Sequence, residues 1–313
     1  SEFTVLVGRN NSGKTTLLEA LSLLPHPGYK TPDPLTDERA ELLTRLHSKS
    51  RQDSKSSQES RQEPLSLGSL VYGYLGEAEL RYGVGNRVLG FTLRDSNLSL
   101  TFDGQVVTDQ DQELRGIFGD EPHNRIAFVP SHDGVLDELS KKIVSEGFWE
   151  RAVKSGATVG VVKGLVNRAV DDVFTEALLV RDELHVRKER EGGLPLYIRA
   201  ADLGDGVERV LVACIWLETL RPSLVLWDDL EAHAHPGLIN VLVRWLSSRD
   251  WQVVASTHSI DVLDALLSCD ADIKVLVLRK GADDVLEHRA LGREELEEMF
   301  DSNLDPRKLV DLL

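Results

Sequence analysis

The sequence predicts an α/β fold in which a mixed, mainly parallel sheet carries an antiparallel β meander and a helical lobe. Three observations predict it. FTVLV (residues 3–7) is an apolar run that enters a glycine-rich turn and then a helical pattern at 15–24. Residues 68–108 alternate between polar and apolar side chains and contain turn signals such as Asp103-Gly104, as a meander requires. After Gly206, strand-like and helix-like stretches alternate, the rhythm of parallel strands joined by crossover helices.

Taken in order, FTVLV reads as a buried strand and TTLLEALSLL (15–24) as a helix. Its Leu17, Leu18, Leu21 and Leu24 recur at helical spacing, so they form a core stripe. Prolines and a glycine in PHPGYKTPDP (25–34) end the helix. HSKSRQDSKSSQESRQEP (47–64) has no apolar residue and cannot bury enough surface to offset its ordering entropy; it is expected to be a mobile insertion. RIAFVP (125–130) follows the meander as a further strand, and helical spacing runs from Gly134 to about Leu179. ELHVRKE and PLYIRA read as short strands. The last third then reads helix 207–220, strand 223–228, helix 237–247, strand 251–256, helix 260–268 and strand 272–278. The expected organisation is one domain, with a strand–helix unit at 1–30, the insertion at 31–64, a β subdomain at 65–130, a helical lobe at 131–200 and the second half of the core at 201–313. No internal repeat is present.

The chain has 313 residues, 41% of them hydrophobic, enough for one large domain or two small ones. The longest apolar stretch, VLVACIWLETL (210–220), is interrupted by Glu218 and falls short of the roughly 18 residues needed to cross a bilayer. No secretory pattern is visible. Cys214 and Cys269 both lie in apolar segments, which fits buried free thiols and a cytoplasmic location with no membrane partner. A formal net charge of −16 argues against a surface coated in phosphate-binding Lys and Arg, although it leaves room for a local basic groove. The chain does not begin with Met, and its one Met is Met299, so a processed or truncated start is expected.

GRNNSGKT (Gly8–Thr15) fits G-x-x-x-x-G-K-S/T in full, with a strand before it and a helix after it. Each part has a physical role. Gly8 and Gly13 let the backbone wrap closely, so that the amides of Asn10, Asn11 and Ser12 point inward at phosphate oxygens. Lys14 supplies a charge for the β- and γ-phosphates, and the Thr15 hydroxyl is suited to ligate Mg²⁺. Thr16 continues the helix N-terminus, whose dipole adds positive potential. The spacing therefore predicts a nucleoside triphosphate with Mg²⁺.

SLVLWDDLEAHAHP (223–236) runs an apolar strand into Asp228, Asp229 and Glu231. Such a cluster is tolerable beside a cation. An acid ending a neighbouring parallel strand suits Mg²⁺, which assigns Asp228 to the metal, and an acid one position later suits the polarisation of attacking water, which assigns Asp229. LGDGVERVL (203–211) opens a helix with Gly204, Asp205 and Gly206, a second helix N-terminus accessible to an anion. VVASTHS (253–259) is a buried strand that ends in small polar residues and His258. No N-K-x-D base-reading motif and no basic lid are recognisable, which argues against GTPases and nucleotide kinases.

In this order and spacing, the four elements resemble the ATPase heads of the ABC type. More closely they resemble the SMC/RecF-like group and the AAA-type ATPase domain of OLD-family (overcoming lysogenization defect) proteins. Those families read GxNxSGKT, a Gly-rich signature, DEPExHLHP and THS, matched here by Gly8–Thr15, Leu203–Arg209, Asp228–Pro236 and Thr257–Ser259. The tail ELEEMFDSNLDPRKLV is also similar, so the likeness covers most of the chain.

The resemblance implies that Lys14, Thr15 and Asp228 hold phosphate and Mg²⁺, that Asp229 stands at the catalytic Glu position, and that His258 senses the γ-phosphate. It implies too that Gly204 and Gly206 approach the nucleotide of a second subunit, in a head-to-tail homodimer closed around two ATP molecules. Ser131 and His132 fall where a lobe-connecting loop reaches the metal. Three departures stand out. Asp229 replaces Glu, so hydrolysis is expected to be slow or assisted by Glu231; Leu230 replaces Pro; and Gly204 replaces a frequent Ser. His233 and His235 form an H-x-H that also suits zinc, but the family pattern accounts for His235 without a metal. Only 55 residues follow His258, too few for the nuclease domain of OLD proteins, so a stand-alone head acting with DNA or a partner effector is expected. The alternatives are an ATP-binding assembly switch with negligible turnover, the ATPase subunit of a transporter, and a P-loop kinase outside the ABC group.

Overall fold

The computed structural model describes residues 2–35, 37–47, 77–94, 97–106 and 110–312. Along the chain come β1 (Glu2–Gly8), α1 (Lys14–Ser22), α2 (Arg39–His47), then β2 (Glu77–Val84), β3 (Arg87–Arg94), β4 (Asn97–Phe102) and β5 (Gln105–Val106). Next are α3 (Gln110–Phe118), β6 (Ile126–Val129), α4 (Asp133–Ile143), α5 (Glu146–Lys154), α6 (Ala157–Val161) and α7 (Asn167–Ala169). Strands β7 (Glu176–Val180), β8 (Glu183–Lys188) and β9 (Leu196–Arg199) precede α8 (Asp205–Leu220), β10 (Leu224–Trp227), α9 (Pro236–Ser247) and β11 (Gln252–Ser256). The chain continues through α10 (Ile260–Leu267), β12 (Asp272–Lys280), β13 (Leu286–Leu291) and α11 (Arg293–Asp301). The described residues form two compact units, one drawn from 1–21, 33–35 and 126–313, the other from 22–32 and 36–125.

The first unit is built on a six-stranded sheet in the order β13-β12-β1-β11-β10-β6. All its pairings are parallel except β12 with β13. Thr4 lies opposite both Val254 and Lys274, and Val225 opposite both Val253 and Ala127. Phe3, Val5, Leu6 and Val7 are fully buried, which explains the continuous apolar run: a central parallel strand is covered on both faces. Four adjacent strands, β6, β10, β11 and β1, end on the same edge of the sheet, and this edge carries the site.

α8 explains why VLVACIWL reads as unbroken apolar sequence. Val210 to Leu217 are buried all round the helix, and the indole of Trp216 donates to Asp33 O at 2.9 Å. In α4 and α5, Leu139, Ile143, Phe148 and Ala152 supply the buried face. Gly156 ends α5 in the left-handed region (φ 78°), where a side chain would be strained. Both cysteines are free and buried.

Several boundaries differ from the sequence-based expectations. The helical stretch ends earlier than Leu179, because Glu176–Val180 forms β7, paired with β8 and β9 in a separate antiparallel sheet. EALLV is short and apolar, a pattern that helices and strands share; the turn at Arg181 and Asp182, both at positive φ, decides for the hairpin. β13 lies outside those expectations too: five of its six residues are exposed, so an edge strand leaves no apolar signal. α1 ends at Ser22 rather than Leu24, ahead of Pro25, which disfavours helical geometry in the residue before it. Leu18 is fully buried and Leu24 nearly so, while Leu17 and Leu21 are half-buried.

The second unit contains the meander, a four-stranded antiparallel sheet in the order β2-β3-β4-β5. Asp103 (φ 51°) and Gly104 (φ 82°) both adopt the left-handed conformation that a two-residue hairpin needs, and Asp103 Oδ1 accepts from Val88 N at 2.8 Å. Tyr82, Leu89, Phe91, Leu93, Leu100 and Phe102 supply the buried face. Residues 110–118 of the expected β subdomain form α3 instead. Within the segment expected as an insertion, residues 39–47 form α2, because Leu42, Leu43 and the aliphatic part of Arg39 have core to bury in. The Arg39 guanidinium donates to Ser22 O at 2.8 Å and His123 O at 2.7 Å, and burial lowers its pKa to about 9. Residues 48–64 of that insertion, and the expected start of the meander at 68–76, lie outside the described residues.

Candidate functional site

The cradle joins β1 to α1. A side chain at Gly8 would place its Cβ 2.5 Å from both Leu278 O and Ser12 Oγ, so only glycine lets the loop close there. Gly13 sits at φ 86°, and a Cβ on it would lie 3.1 Å from Leu286 Cδ1. Asn11 also adopts positive φ (62°), which Asn tolerates better than most residues. Asn10, Asn11, Thr15 and Thr16 are exposed, whereas Ser12 is buried. Among the described residues, Ser12 Oγ has no hydrogen-bond partner. The Lys14 ammonium donates to Gly8 O at 3.0 Å and Arg9 O at 3.1 Å, curling back across the loop. Burial pulls the Lys14 pKa down from its ordinary value, and the charges of Asp229, Asp228 and Glu231 push it back up. A polar cavity of about 520 Å³ opens beside the loop, lined by residues 9–12 together with Arg279, Lys280, Gly281 and Asp284.

Four strand ends deliver the rest. Asp228 directly follows β10, is 4% exposed, and receives three hydroxyls. Thr15 Oγ1 donates at 3.1 and 3.2 Å to its two oxygens, Ser131 Oγ at 3.2 Å, and Ser256 Oγ at 2.6 Å. Thr15 comes from the β1 end, Ser131 from beyond β6 and Ser256 from β11, so the parallel register brings them together. The Ser256 hydroxyl also accepts from Asp229 N at 2.8 Å. That bond and Leu230 N donating to Ser256 O at 3.1 Å hold the turn in which Asp229 takes φ 47°. Burial, then Asp228 and Glu231, raise the Asp229 pKa, against the opposing pull of His258 and Lys14.

Glu231 and His258 meet through backbone. Glu231 Oε2 accepts from Thr257 Oγ1 at 2.6 Å and Oε1 from His258 N at 2.6 Å. Thr257 N donates to Leu6 O at 3.1 Å, tying this loop to β1. His258 is exposed.

Gly204, Asp205 and Gly206 make none of the bonds that join the cradle to Asp228. Gly204 precedes α8 at φ 99°, with open space where a side chain would project. Gly206 is packed tightly, since a Cβ on it would lie 2.2 Å from His233 O. One turn on, Arg209 pairs with Asp133 and holds its carboxyl below the ordinary range, and His233 Nε2 lies 3.6 Å from the same Asp133 oxygen. His235 caps α9, its Nδ1 accepting from Gly237 N at 3.2 Å. Among the described residues, no cluster of three His, Cys, Asp or Glu side chains is arranged to hold a metal. The arrangement around Asp228 is instead one carboxylate with three hydroxyls, an all-oxygen set of the kind Mg²⁺ prefers. The residues present therefore fit a phosphate-bound Mg²⁺: hard donors at one point, a lysine and an unpartnered buried hydroxyl in the adjoining loop.

Ser256 lies outside the matched motifs, and the run of small polar residues ending VVASTHS is its one signal. Thr257 and Arg209 fall within the THS and Leu203–Arg209 matches, but the resemblance assigns neither of them a role there.

The family described as "AAA domain, putative AbiEii toxin, Type IV TA system" (AAA_21) matches residues 3–101 and 146–264. Among solved structures, the fold is similar to the Smc head bound to the C-winged helix domain of ScpA, at 14% identity and TM-score 0.58, covering 95% of this chain and 92% of that one. It is also similar to the Pyrococcus furiosus Smc head domain with an extended coiled coil, bound to the C-terminal domain of ScpA, at 12% identity and TM-score 0.57, covering 96% and 93%. At such identities the likeness is one of fold, that of the Smc head domains. No curated protein matches the sequence. Among the described residues no helix is long and apolar enough to cross a membrane.

Proposed function

The chain belongs to the AAA_21 family, and on that premise we propose that it is a Mg²⁺-dependent ATPase that closes into a head-to-tail homodimer around ATP and reopens on hydrolysis. The observation that carries this reading is the contact of Thr15 Oγ1 with both oxygens of Asp228, at 3.1 and 3.2 Å, with Lys14 the preceding residue. In this reading, Thr15 and Asp228 join the anion-binding loop to the acidic strand end and would together hold a triphosphate's metal. The adjoining cavity, at about 520 Å³, lies in the size range of small-molecule sites.

The bound ion would supply charge neutralisation at the β- and γ-phosphate oxygens. The chain's own residues do the rest. Lys14 exchanges its two carbonyl acceptors for phosphate oxygens, and the amides and hydroxyls of residues 10–16 line the remaining anion surface. Thr15 and Asp228 would hold the ion, with Ser131 and Ser256 keeping the carboxylate in place. Asp229 orients the attacking water and takes its proton. His258 donates to the γ-phosphate from a loop fastened by Glu231. Gly204, Asp205 and Gly206 offer the exposed start of α8 to the nucleotide of the second subunit.

The family's description, which names a toxin and a toxin–antitoxin system, supports a defence-related role; the DNA-related, OLD-like setting is proposed from the sequence motifs alone. The Smc heads are described with ScpA domains bound, which supports a partner effector docking on this head. A net charge of −16 means that any DNA contact has to be local.

The test is phosphate release from ATP with Mg²⁺ and with chelator, together with sizing with and without ATP–Mg²⁺, repeated with duplex DNA at two salt concentrations. Mg²⁺-dependent release with ATP-dependent dimers supports the proposal; neither release nor nucleotide binding ends it. A second reading, an ATP-driven assembly switch with negligible turnover, is favoured by the shorter Asp229 at the water-orienting position. Dimers without phosphate release would select it.

A further inference from the structure

His258 is held by its backbone from both sides. On one side, Glu231 Oε1 accepts from His258 N at 2.6 Å. On the other, Arg307 Nη1 donates to His258 O at 2.7 Å, across 49 positions of sequence. Arg307 belongs to the short 3₁₀ segment Pro306–Leu312 that follows α11. Its guanidinium is aimed before it reaches His258. Asp305 Oδ1 accepts from Arg307 Nε at 2.9 Å and Oδ2 from Nη2 at 2.7 Å, a bidentate fork that leaves Nη1 pointing at the loop. The Arg307 amide also donates to Asp305 Oδ1 at 3.0 Å, so the Asp-Pro-Arg turn is itself rigid. Ser259, next in the loop, is fixed as the cap of α10, accepting from Asp261 N at 3.1 Å.

We infer that Arg307 is a positioning residue for the reaction: with Glu231 it clamps the backbone of His258, so that the exposed imidazole is carried at a fixed point within reach of the γ-phosphate. This inference rests on the ATPase reading and assigns the C-terminal turn Asp305–Pro306–Arg307 a part in turnover. A histidine that must reach a phosphate oxygen acts only within hydrogen-bond range, and a peptide free to rotate loses that range part of the time. Arg is required because only a guanidinium can satisfy Asp305 with two nitrogens and His258 O with a third.

The experiment uses the full chain with Arg307→Ala, Arg307→Lys and Asp305→Asn, and reads amide hydrogen exchange, Mg-ATP affinity and steady-state hydrolysis. In Arg307→Ala, exchange at the His258 and Ser259 amides rises about tenfold, while that of β11 stays as in the parent chain. kcat falls on the order of tenfold and the Mg-ATP Kd changes less than about twofold. Arg307→Lys, with charge but no fork, recovers only part of the rate, and Asp305→Asn lies between the parent and Arg307→Ala. Unchanged exchange and unchanged kcat in Arg307→Ala overturn the inference. So does a loss of affinity and thermal stability equal to the loss of rate, since that pattern describes a merely structural contact. Should Arg307→Ala not fold, Arg307→Lys and Asp305→Asn decide by the same readouts. Should the parent chain release no phosphate, the ATPase reading fails, and exchange at His258 still decides the clamp.

Discussion

Thr15 and Asp228, separated by 213 positions of sequence, share two hydrogen bonds at 3.1 and 3.2 Å. The glycine turn after β1 and the acid after β10 therefore meet on one edge of the sheet. They do so although β11 lies between their strands, because Asp228 projects across Ser256, the last residue of β11.

The Lys14 ammonium rests on the two carbonyls of Gly8 and Arg9, acceptors that a phosphate can replace. Lys14→Ala is expected to weaken Mg-ATP binding on the order of 100-fold, about 2.7 kcal/mol, through loss of charged contacts to phosphate. Titration calorimetry measures it; affinity within a few-fold of the parent would refute the assignment of this loop as the phosphate cradle.

Asp228→Ala removes the acceptor of three hydroxyls. Ser256 is 0% exposed and loses its acceptor away from solvent, so the change is expected to cost about 1–3 kcal/mol of stability beyond any loss of metal binding. Denaturant unfolding in chelator isolates that part. Addition of Mg²⁺ should no longer tighten ATP binding in the variant; a metal effect equal to the parent's would place the ion elsewhere.

Asp229→Asn is expected to leave ATP binding intact and slow hydrolysis further, with Glu231 the next candidate for water if the rate does not move. Stability should change in the opposite direction. Burial, Asp228 and Glu231 raise the folded-state pKa of Asp229, so the folded protein holds this proton more tightly than the unfolded chain does. The stability so gained is full below the unfolded pKa and is lost as pH rises through the folded one. Without metal, the Asn variant should therefore melt above the parent at pH 7, by roughly 2–4 °C per kcal/mol relieved, and the gap should close below about pH 4. A gap that widens in acid would contradict this.

The two glycines before and within α8 separate strain from packing. At Gly206 a methyl would strike His233 O at 2.2 Å, whereas at Gly204 it would meet open space and suffer only the strain of φ 99°. Gly206→Ala should be the more destabilising, by about 2 kcal/mol or more against about 1 kcal/mol for Gly204→Ala. Equal losses in denaturant melts would mean that the turn around His233 yields freely.

The motifs with local chemistry are legible because their logic is contained in a few consecutive residues. Gly8, Gly13, Lys14 and Thr15 are specified by what a phosphate loop needs, and Asp228 by what ends a buried strand. α8 is legible as a buried helix because it is apolar all round. β7 reads as helix because five residues of its kind suit either element, and β13 escapes notice because exposed edge strands carry no apolar period. α2 is hidden by the polar stretch that follows it. The two sides of the His258 clamp are invisible for another reason: hydrogen bonds from Glu231 and Arg307 to backbone atoms leave no pattern around His258 itself.

What the sequence alone determined was which local pieces exist: a strand, a glycine turn and a helix at the start, an acid-tipped strand late in the chain, and an α/β alternation around it. Short-range forces suffice for these, namely glycine's freedom, apolar periodicity and the chemistry of adjacent side chains. The tertiary structure alone decided which pieces touch. The parallel order β1-β11-β10-β6 carries Thr15, Ser256 and Ser131 to one carboxylate, and the return of the C-terminal turn carries Arg307 to His258. Those meetings depend on pairings between distant segments, whose energy comes from burying whole strands and helices together and not from the residues that happen to meet at their ends.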